Sequence, residues 1–406
     1  MAEGVTETEC EERKYLRELI LNVHEPVVLR NFKHNWKAFD CSFLEWCQKF
    51  DAATGGDQQT FSCMTHRDAT PQWERNYELI KITAENFANT FLTEQKFWAA
   101  LMYKRANELP SVCTEGVNFE CFGFPKSSGD VNLWLCSPGA NTPCHYDTYG
   151  CNIVVQVYGS KSWLLFPPNT PLTSTRIPYE ESSVYCTENF HSPDLRNISQ
   201  FKKLESYAHR CILNPGDVLI VPHHWWHYAE AVETCLSVNY WVSLKKDIEI
   251  QLEEAIVKYI MESSVKDMFL PEAQYIFNPN QISETIEQDI LWNKMKWLLD
   301  KASALDDNNS SQENETYHNY QYLPQSEIDQ YSEKGLNVYK VPTMTDGAFM
   351  DLISENAKRF DMQFADESDS PLHTIKEIML NSICSANVIK VIKLEFYRRY
   401  AAELLN

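Results

Sequence analysis

His145 and Asp147 stand one residue apart in TPCHYDTYGCN, and His227 follows a tryptophan pair in VPHHWWHY. Two imidazoles and one carboxylate can fill one face of a ferrous ion and leave its other positions open for a co-substrate and dioxygen, so these side chains point to metal-centred oxidation. On an extended strand, side chains two residues apart emerge on one face roughly 6–7 Å apart. That spacing lets His145 and Asp147 converge on one ion through bonds of about 2 Å. An HxD pair alone also describes a surface histidine beside a turn aspartate. His227 changes the balance, because a polar ring behind Trp225 and Trp226 needs a partner, although a backbone carbonyl would serve as well as a metal. His223 and His224 compete with it for the third position. His66, His191 and His209 lie in loop-like or polar surroundings and read as solvated.

The elements that must position these residues are short β-branched or aromatic runs separated by turn residues, which mark residues 132–243 as an all-β core. Asn152–Tyr158 alternates Asn152, Val154, Gln156 and Tyr158 with Ile153, Val155 and Val157, so one strand face is polar and the other apolar. Lys161–Phe166 is a strand that Pro167-Pro168 ends. Residues 169–210 are too long and polar for a hairpin turn and read as an insertion rimming the site. Asn214-Pro215-Gly216-Asp217 is a turn signal, after which Val218–Val221 and Leu236–Val242 read as a strand pair. The fold class is mainly β, a double-sheet jelly roll of cupin-like form whose interior can hold a metal, with flanking N-terminal helices and a C-terminal helical region.

Upstream of the core, residues 1–13 are acidic and expected frayed, with a short amphipathic helix from Tyr15. Pro26–Arg30 and Phe61–Met64 read as strands, Leu44–Phe50 as a helix, and residues 83–104 as helices with aromatic faces. Downstream, Leu252, Ala255, Ile256, Tyr259 and Ile260, then Leu291, Met295 and Leu298, fall at helical spacing. The organisation expected is a domain over 14–247, a helical extension over 248–300, a disordered linker over 301–320 and helices over 321–406.

Composition sets the outer limits. The 13 cysteines are odd in number, scattered and without a CxxC pair, which argues against a disulfide framework or a structural zinc. A formal charge of −21 excludes nucleic acid as a partner, since binding a phosphate backbone requires a cationic surface. No run approaches the length of a membrane span, and MAEGVTETECEERK lacks the apolar core of a signal peptide. A cytoplasmic location, with the nucleus also open, is the expectation.

Taken together, HxD, the strand Gln156-Val157-Tyr158-Gly159-Ser160-Lys161, and Pro215-Gly216-Asp217 leading to Pro222 and Trp225-Trp226-His227 resemble the JmjC group of ferrous, 2-oxoglutarate-dependent oxygenases. HYDTYGCN, TRIPYEESSVY and VPHHWWHY are similar to the branch of that group associated with small heat-shock proteins. The resemblance covers roughly residues 15–260 and matches the tail only loosely. It implies His145, Asp147 and His227 as iron ligands, Lys161 as the cation for the distal carboxylate of 2-oxoglutarate, and Thr142 as its hydroxyl partner. Asn152 and Asn239 would stand behind the co-substrate or the open iron position, and Tyr103 would offer a hydroxyl to the same carboxylate. One departure is visible: the stretch from Asp147 to Asn152 is one residue longer than in the asparagine hydroxylase of the group.

The function expected is therefore an Fe(II)- and 2-oxoglutarate-dependent oxygenase that uses O2, most simply a protein hydroxylase. Its partner would be a protein substrate or a small heat-shock protein, and residues 250–300 are candidates for pairing two chains. Demethylation of an N-methyl lysine uses the same chemistry but lacks an accompanying histone-reading module. The rivals from other classes are an adaptor that keeps the barrel without catalysis and a zinc or manganese cupin, which generally uses more histidines.

Overall fold

The computed structural model describes residues 7–65, 78–90, 97–124, 131–173, 183–265, 288–306, 325–359, 378–379 and 382–404. His66 and most of TRIPYEESSVY lie outside them.

Helix α1 (Glu7–Asn22) starts well before Tyr15, so most of the segment expected to fray is helical. Leu16, Leu19, Ile20 and Val23 are buried at i, i+3, i+4 and i+7, which is one face of a helix. Strand β1 (Val27–Leu29) follows, then α2 (Phe43–Ala53). Ser42 caps α2: its hydroxyl accepts from the Glu45 amide while the Glu45 carboxylate accepts from the Ser42 amide.

Strands β2 (Gln59–Thr65) and β3 (Glu78–Ile82) pair, and α3 (Ala84–Thr90) follows. Among the described residues the helical reading of 83–104 holds for α3 alone, because Phe97–Arg105 is strand β4, paired with β2 and β5 (Val131–Cys136). Its period is two: Trp98 and Ala100 face one buried cluster while Ala99 and Leu101 face another. With both faces covered, aromatic and apolar residues run continuously and imitate a buried helix.

The core continues with β6 (Asn141–Asp147), β7 (Cys151–Tyr158) and β8 (Lys161–Phe166). Next come β9 (Ser183–Tyr185), α4 (Ile198–Leu204), β10 (His209–Leu213), β11 (Val218–Val221), β12 (Trp226–Ala231) and β13 (Cys235–Val242). The insertion over 169–210 builds core as well as rim. Its strand β9 pairs with β6, setting Tyr185 opposite His145, and Phe190, Phe201 and Leu204 are buried. β11 and β13 do not pair with each other; they lie on either side of β7, whose two free edges they satisfy.

α5 (Asp247–Val265) and α6 (Gln288–Asp306) form the helical extension, so 301–306 are helical rather than linker. α7 (Gln325–Glu333), β14 (Val338–Lys340), α8 (Ala348–Ala357) and α9 (Ala386–Leu404) complete the described chain. The C-terminal region is not only helical. β14 pairs with β1, Val27 opposite Lys340, and so extends the main sheet.

Two antiparallel sheets result, ordered β14-β1-β11-β7-β13-β5-β4-β2-β3 and β10-β8-β12-β6-β9. Between them Val154, Trp163, Leu165, Leu219, Val221, Trp225 and Ala229 are packed together. The outer face of the larger sheet, through Ile153, Val155 and Val157, buries α1 and α2. The outer face of the smaller sheet, through Leu164, Phe166 and Tyr228, buries α4 and α8. α5, α6 and α9 share a separate core around Leu252, Met295, Leu298 and Ile389. Twelve cysteines are free among the described residues.

Candidate metal centre

β6 and β12 are neighbours in the smaller sheet with His145 directly opposite His227, so two distant histidines meet because their strands pair. Asp147, two residues along β6, lies on the same face as His145. His145 Nε2 lies 3.7 Å from Asp147 Oδ1, and His227 Nε2 lies 3.9 Å from Asp147 Oδ2. One ligand atom from each residue falls within 4.8 Å of the others.

The tautomers of both rings are fixed from behind. Nδ1 of His145 donates to the Pro143 carbonyl at 2.8 Å, and Nδ1 of His227 donates to the Trp225 carbonyl at 2.9 Å. Each Nε2 therefore carries a lone pair aimed at the common point, which is how imidazole ligands are usually oriented. Burial and the neighbouring His227 lower the pKa of His145 to about 4, against the opposing pull of Asp147. It is neutral at physiological pH, the state that binds metal.

The rival histidines face elsewhere. Nδ1 of His223 donates to the Gly150 carbonyl at 3.1 Å, and Nε2 of His224 to the Thr148 carbonyl at 3.2 Å. The reading of His191 and His209 as solvated is corrected: both are buried, His191 against the Tyr228 hydroxyl and His209 on β10 against the Val341 carbonyl. In each case a neighbour absent from the local sequence supplies the polar partner.

The three groups open into a pocket, and all eight residues singled out from sequence line it: Tyr103, Thr142, His145, Asp147, Asn152, Lys161, His227 and Asn239. Trp134, Trp163, Ser237 and Trp241 line it too, and sequence reasoning passed over them. Lys161 is 4% exposed, with Nζ 5.7 Å from the ring centres of both Trp134 and Trp163. No carboxylate pairs with it among the described residues. A buried cation held only by ring faces calls for an anion. Thr142 stands opposite Ala229 on β12. Tyr103 lies within the β-bulge of β4 between Leu101 and Lys104, has φ 54° and is half-exposed beside Trp134.

Behind the carboxylate runs a chain of side-chain amides. Trp134 Nε1 donates to Asn239 Oδ1 at 2.7 Å, Asn239 Nδ2 to Asn152 Oδ1 at 2.9 Å, and Asn152 Nδ2 reaches Asp147 Oδ2 at 3.4 Å. The alternation in SVNYW held the clue to Trp241: it lies two residues from Asn239, on the same face of β13.

A cupin-like domain model matches residues 13–247, more than half of the chain. The chain belongs to the JmjC-type cupin-like family. It is 38% identical over 291 residues to HSPB1-associated protein 1 of Bos taurus, covering 66% of this chain and 58% of that one. The Homo sapiens protein of that name is 37% identical over 292 residues, with the same coverage. Lysine-specific demethylase 8 of Xenopus tropicalis is 23% identical over 251 residues, 59% of this chain and 53% of the other. The chain thus spans 58% of the length of its HSPB1-associated relatives from cattle and human. Within the family the triad is consistent with an Fe(II) and 2-oxoglutarate site, and the donor set fits: two imidazole nitrogens, one carboxylate and a buried cation that no described carboxylate pairs with. No described helix is long and apolar enough to cross a membrane.

Proposed function

We propose that this chain is an Fe(II)- and 2-oxoglutarate-dependent oxygenase that hydroxylates a protein side chain. The reading is carried by one observation: Nε2 of His145 and of His227 converge with the Asp147 carboxylate in a pocket that also holds the unpaired Lys161. When bound, iron and 2-oxoglutarate would supply dioxygen-dependent oxidation of a C–H bond, with succinate and CO2 as co-products. His145, Asp147 and His227 hold the metal. Lys161 neutralises the distal carboxylate of the co-substrate, a charge-assisted contact that Thr142 and Tyr103 supplement from the pocket wall. Asn152 and Asn239 orient the ligand carboxylate, and Trp134, Trp163 and Trp241 keep the cavity dry.

The name of the HSPB1-associated relatives supports a small heat-shock protein as partner or substrate. Copies of the chain associate, in this reading, through α5 and α6, where Trp292 and Trp297 are 44% and 52% exposed. An adaptor without catalysis would share the fold but has no use for fixed tautomers or for a buried unpaired lysine. Lysine demethylation is a second reading, supported by the names of relatives matched over a smaller share of the chain, lysine-specific demethylase 8 among them. The protein incubated in air with Fe(II), 2-oxoglutarate and a purified small heat-shock protein should release succinate and add one oxygen atom to the partner by mass spectrometry. Loss of a methyl group would favour the demethylase, and binding with neither product the adaptor.

A further inference from the structure

The stretch Thr148–Gly150 begins immediately after the Asp147 ligand and is strapped down from two sides. From the turn that leads into the strand of His227, His223 and His224 donate to the Gly150 and Thr148 carbonyls, their rings stacked 3.6 Å apart. From the helical extension, Asp247 Oδ1 accepts from the Gly150 amide at 2.9 Å, while its Oδ2 accepts from the Leu244 amide at 2.7 Å. The Tyr149 hydroxyl donates to Glu254 Oε2. Asp247 and Glu254 are seven residues apart, so both project from one side of α5. Gly150 has φ 65°, and a Cβ there would come within 2.3 Å of the Val242 carbonyl oxygen, so the strap leaves no room to shift toward β13.

We propose that Tyr149 and Glu254 form a latch by which α5 positions the Asp147 carboxylate, making metal affinity depend on the docking of a helix that lies almost wholly beyond the matched domain. The inference rests on the metal-centre reading above. Asp147 sits at the end of β6, and its backbone continues directly into the strap. Any freedom in residues 148–150 becomes freedom of the ligand oxygen, and a ligand that must be ordered on binding loses affinity. The latch works with a neutral acid. Burial raises the Glu254 pKa to about 9 despite the nearby Lys294 and Lys258, and its Oε1 has no partner among the described residues. Glutamine is therefore the matched replacement at 254, and alanine removes the acceptor. Because α6 and α9 pack on α5, the latch gives that helical bundle a mechanical route to the metal.

Anaerobic Mn(II) titration of the full chain without co-substrate, read from the paramagnetic resonance of the free ion, tests this. Tyr149→Phe and Glu254→Ala should each weaken Mn(II) on the order of tenfold, the usual scale for residues supporting a metal ligand. The double variant should lose no more than either single one, since both break the same contact. Glu254→Gln should bind as the wild type does. If Tyr149→Phe and Glu254→Ala bind Mn(II) as the wild type does while melting lower, the contact only glues α5 in place and the latch is refuted. Should Glu254→Ala fail to fold, Tyr149→Phe, which removes a single oxygen atom, decides the question alone. A wild-type protein that binds no Mn(II), or an Asp147→Ala variant that binds it equally well, would instead overturn the metal centre and the latch with it.

Discussion

Trp241 and Asn152 face each other across β13 and β7, and the Trp241 indole N–H donates to Asp147 Oδ2 at 2.9 Å. The ligand carboxylate is thus held through one oxygen by the larger sheet, while Oδ1 faces His145 of the smaller sheet. The metal centre spans both layers of the jelly roll: nitrogens and carboxylate come from one sheet, and the groups that orient the carboxylate come from the other.

Trp241→Phe keeps the ring and removes the donor. It should weaken Fe(II) or Co(II) binding on the order of tenfold, within the range for groups that orient metal ligands. Titration of the metal into the apoprotein measures this, with the melting temperature as a check on packing.

Lys161→Met removes a cation that is 4% exposed and has no carboxylate partner among the described residues. Relief of an unpaired buried charge should leave the apoprotein as stable or more stable, by about 1 kcal/mol or more. The same change should abolish the rise in melting temperature that 2-oxoglutarate gives the wild type through ligand linkage. Thermal scans with and without 2-oxoglutarate read both effects.

The core strands were legible where one face differs from the other, as in Asn152–Tyr158, and the ligand triad through the resemblance of HxD and the later WWH run to the JmjC pattern, since spacing alone left His223 and His224 as competitors. β4 was not, because Trp98–Leu101 is buried on both faces and loses the alternation that marks a strand. β14 was too short to declare itself, and its role depends on pairing with β1, some three hundred positions earlier in the chain. The burial of His191 and His209 was hidden for a related reason: their partners, Tyr228 and the Val341 carbonyl, come from remote strands and loops. Trp134 carries no signal of its own, since a tryptophan in a strand is ordinarily packing, and Trp241 had only its alternation with Asn239; the Asn239 and Asp147 they bond give them a role at the site.

Glu254 supplies a pH dependence with a definite sign. Its folded pKa is raised from 4.5 to about 9, so the native state holds a proton that the unfolded state releases. Stability from this group is complete below the unfolded pKa and declines as pH rises toward the folded one. Glu254→Gln should remove that decline, stabilising the protein on the order of 3 kcal/mol at pH 7 and hardly at all near pH 4. Denaturant midpoints across that range would show the two curves converging in acid. Parallel curves would contradict the assignment.

Association through α5 and α6 has a direct reading in solution mass. Light scattering should give twice the chain mass for the wild type and a single chain mass for Trp297→Glu, which sets a charge on a half-exposed ring surface. A wild-type monomer would remove the association without touching the site.

The chelate that this pocket would hold can itself be seen. Anaerobic addition of Fe(II) and then 2-oxoglutarate should develop a visible charge-transfer band in the wild type. Asp147→Ala should show none, and Lys161→Met should need far more 2-oxoglutarate to reach it. A wild-type protein that stays colourless, with both reagents in excess and the fold intact, would contradict the account.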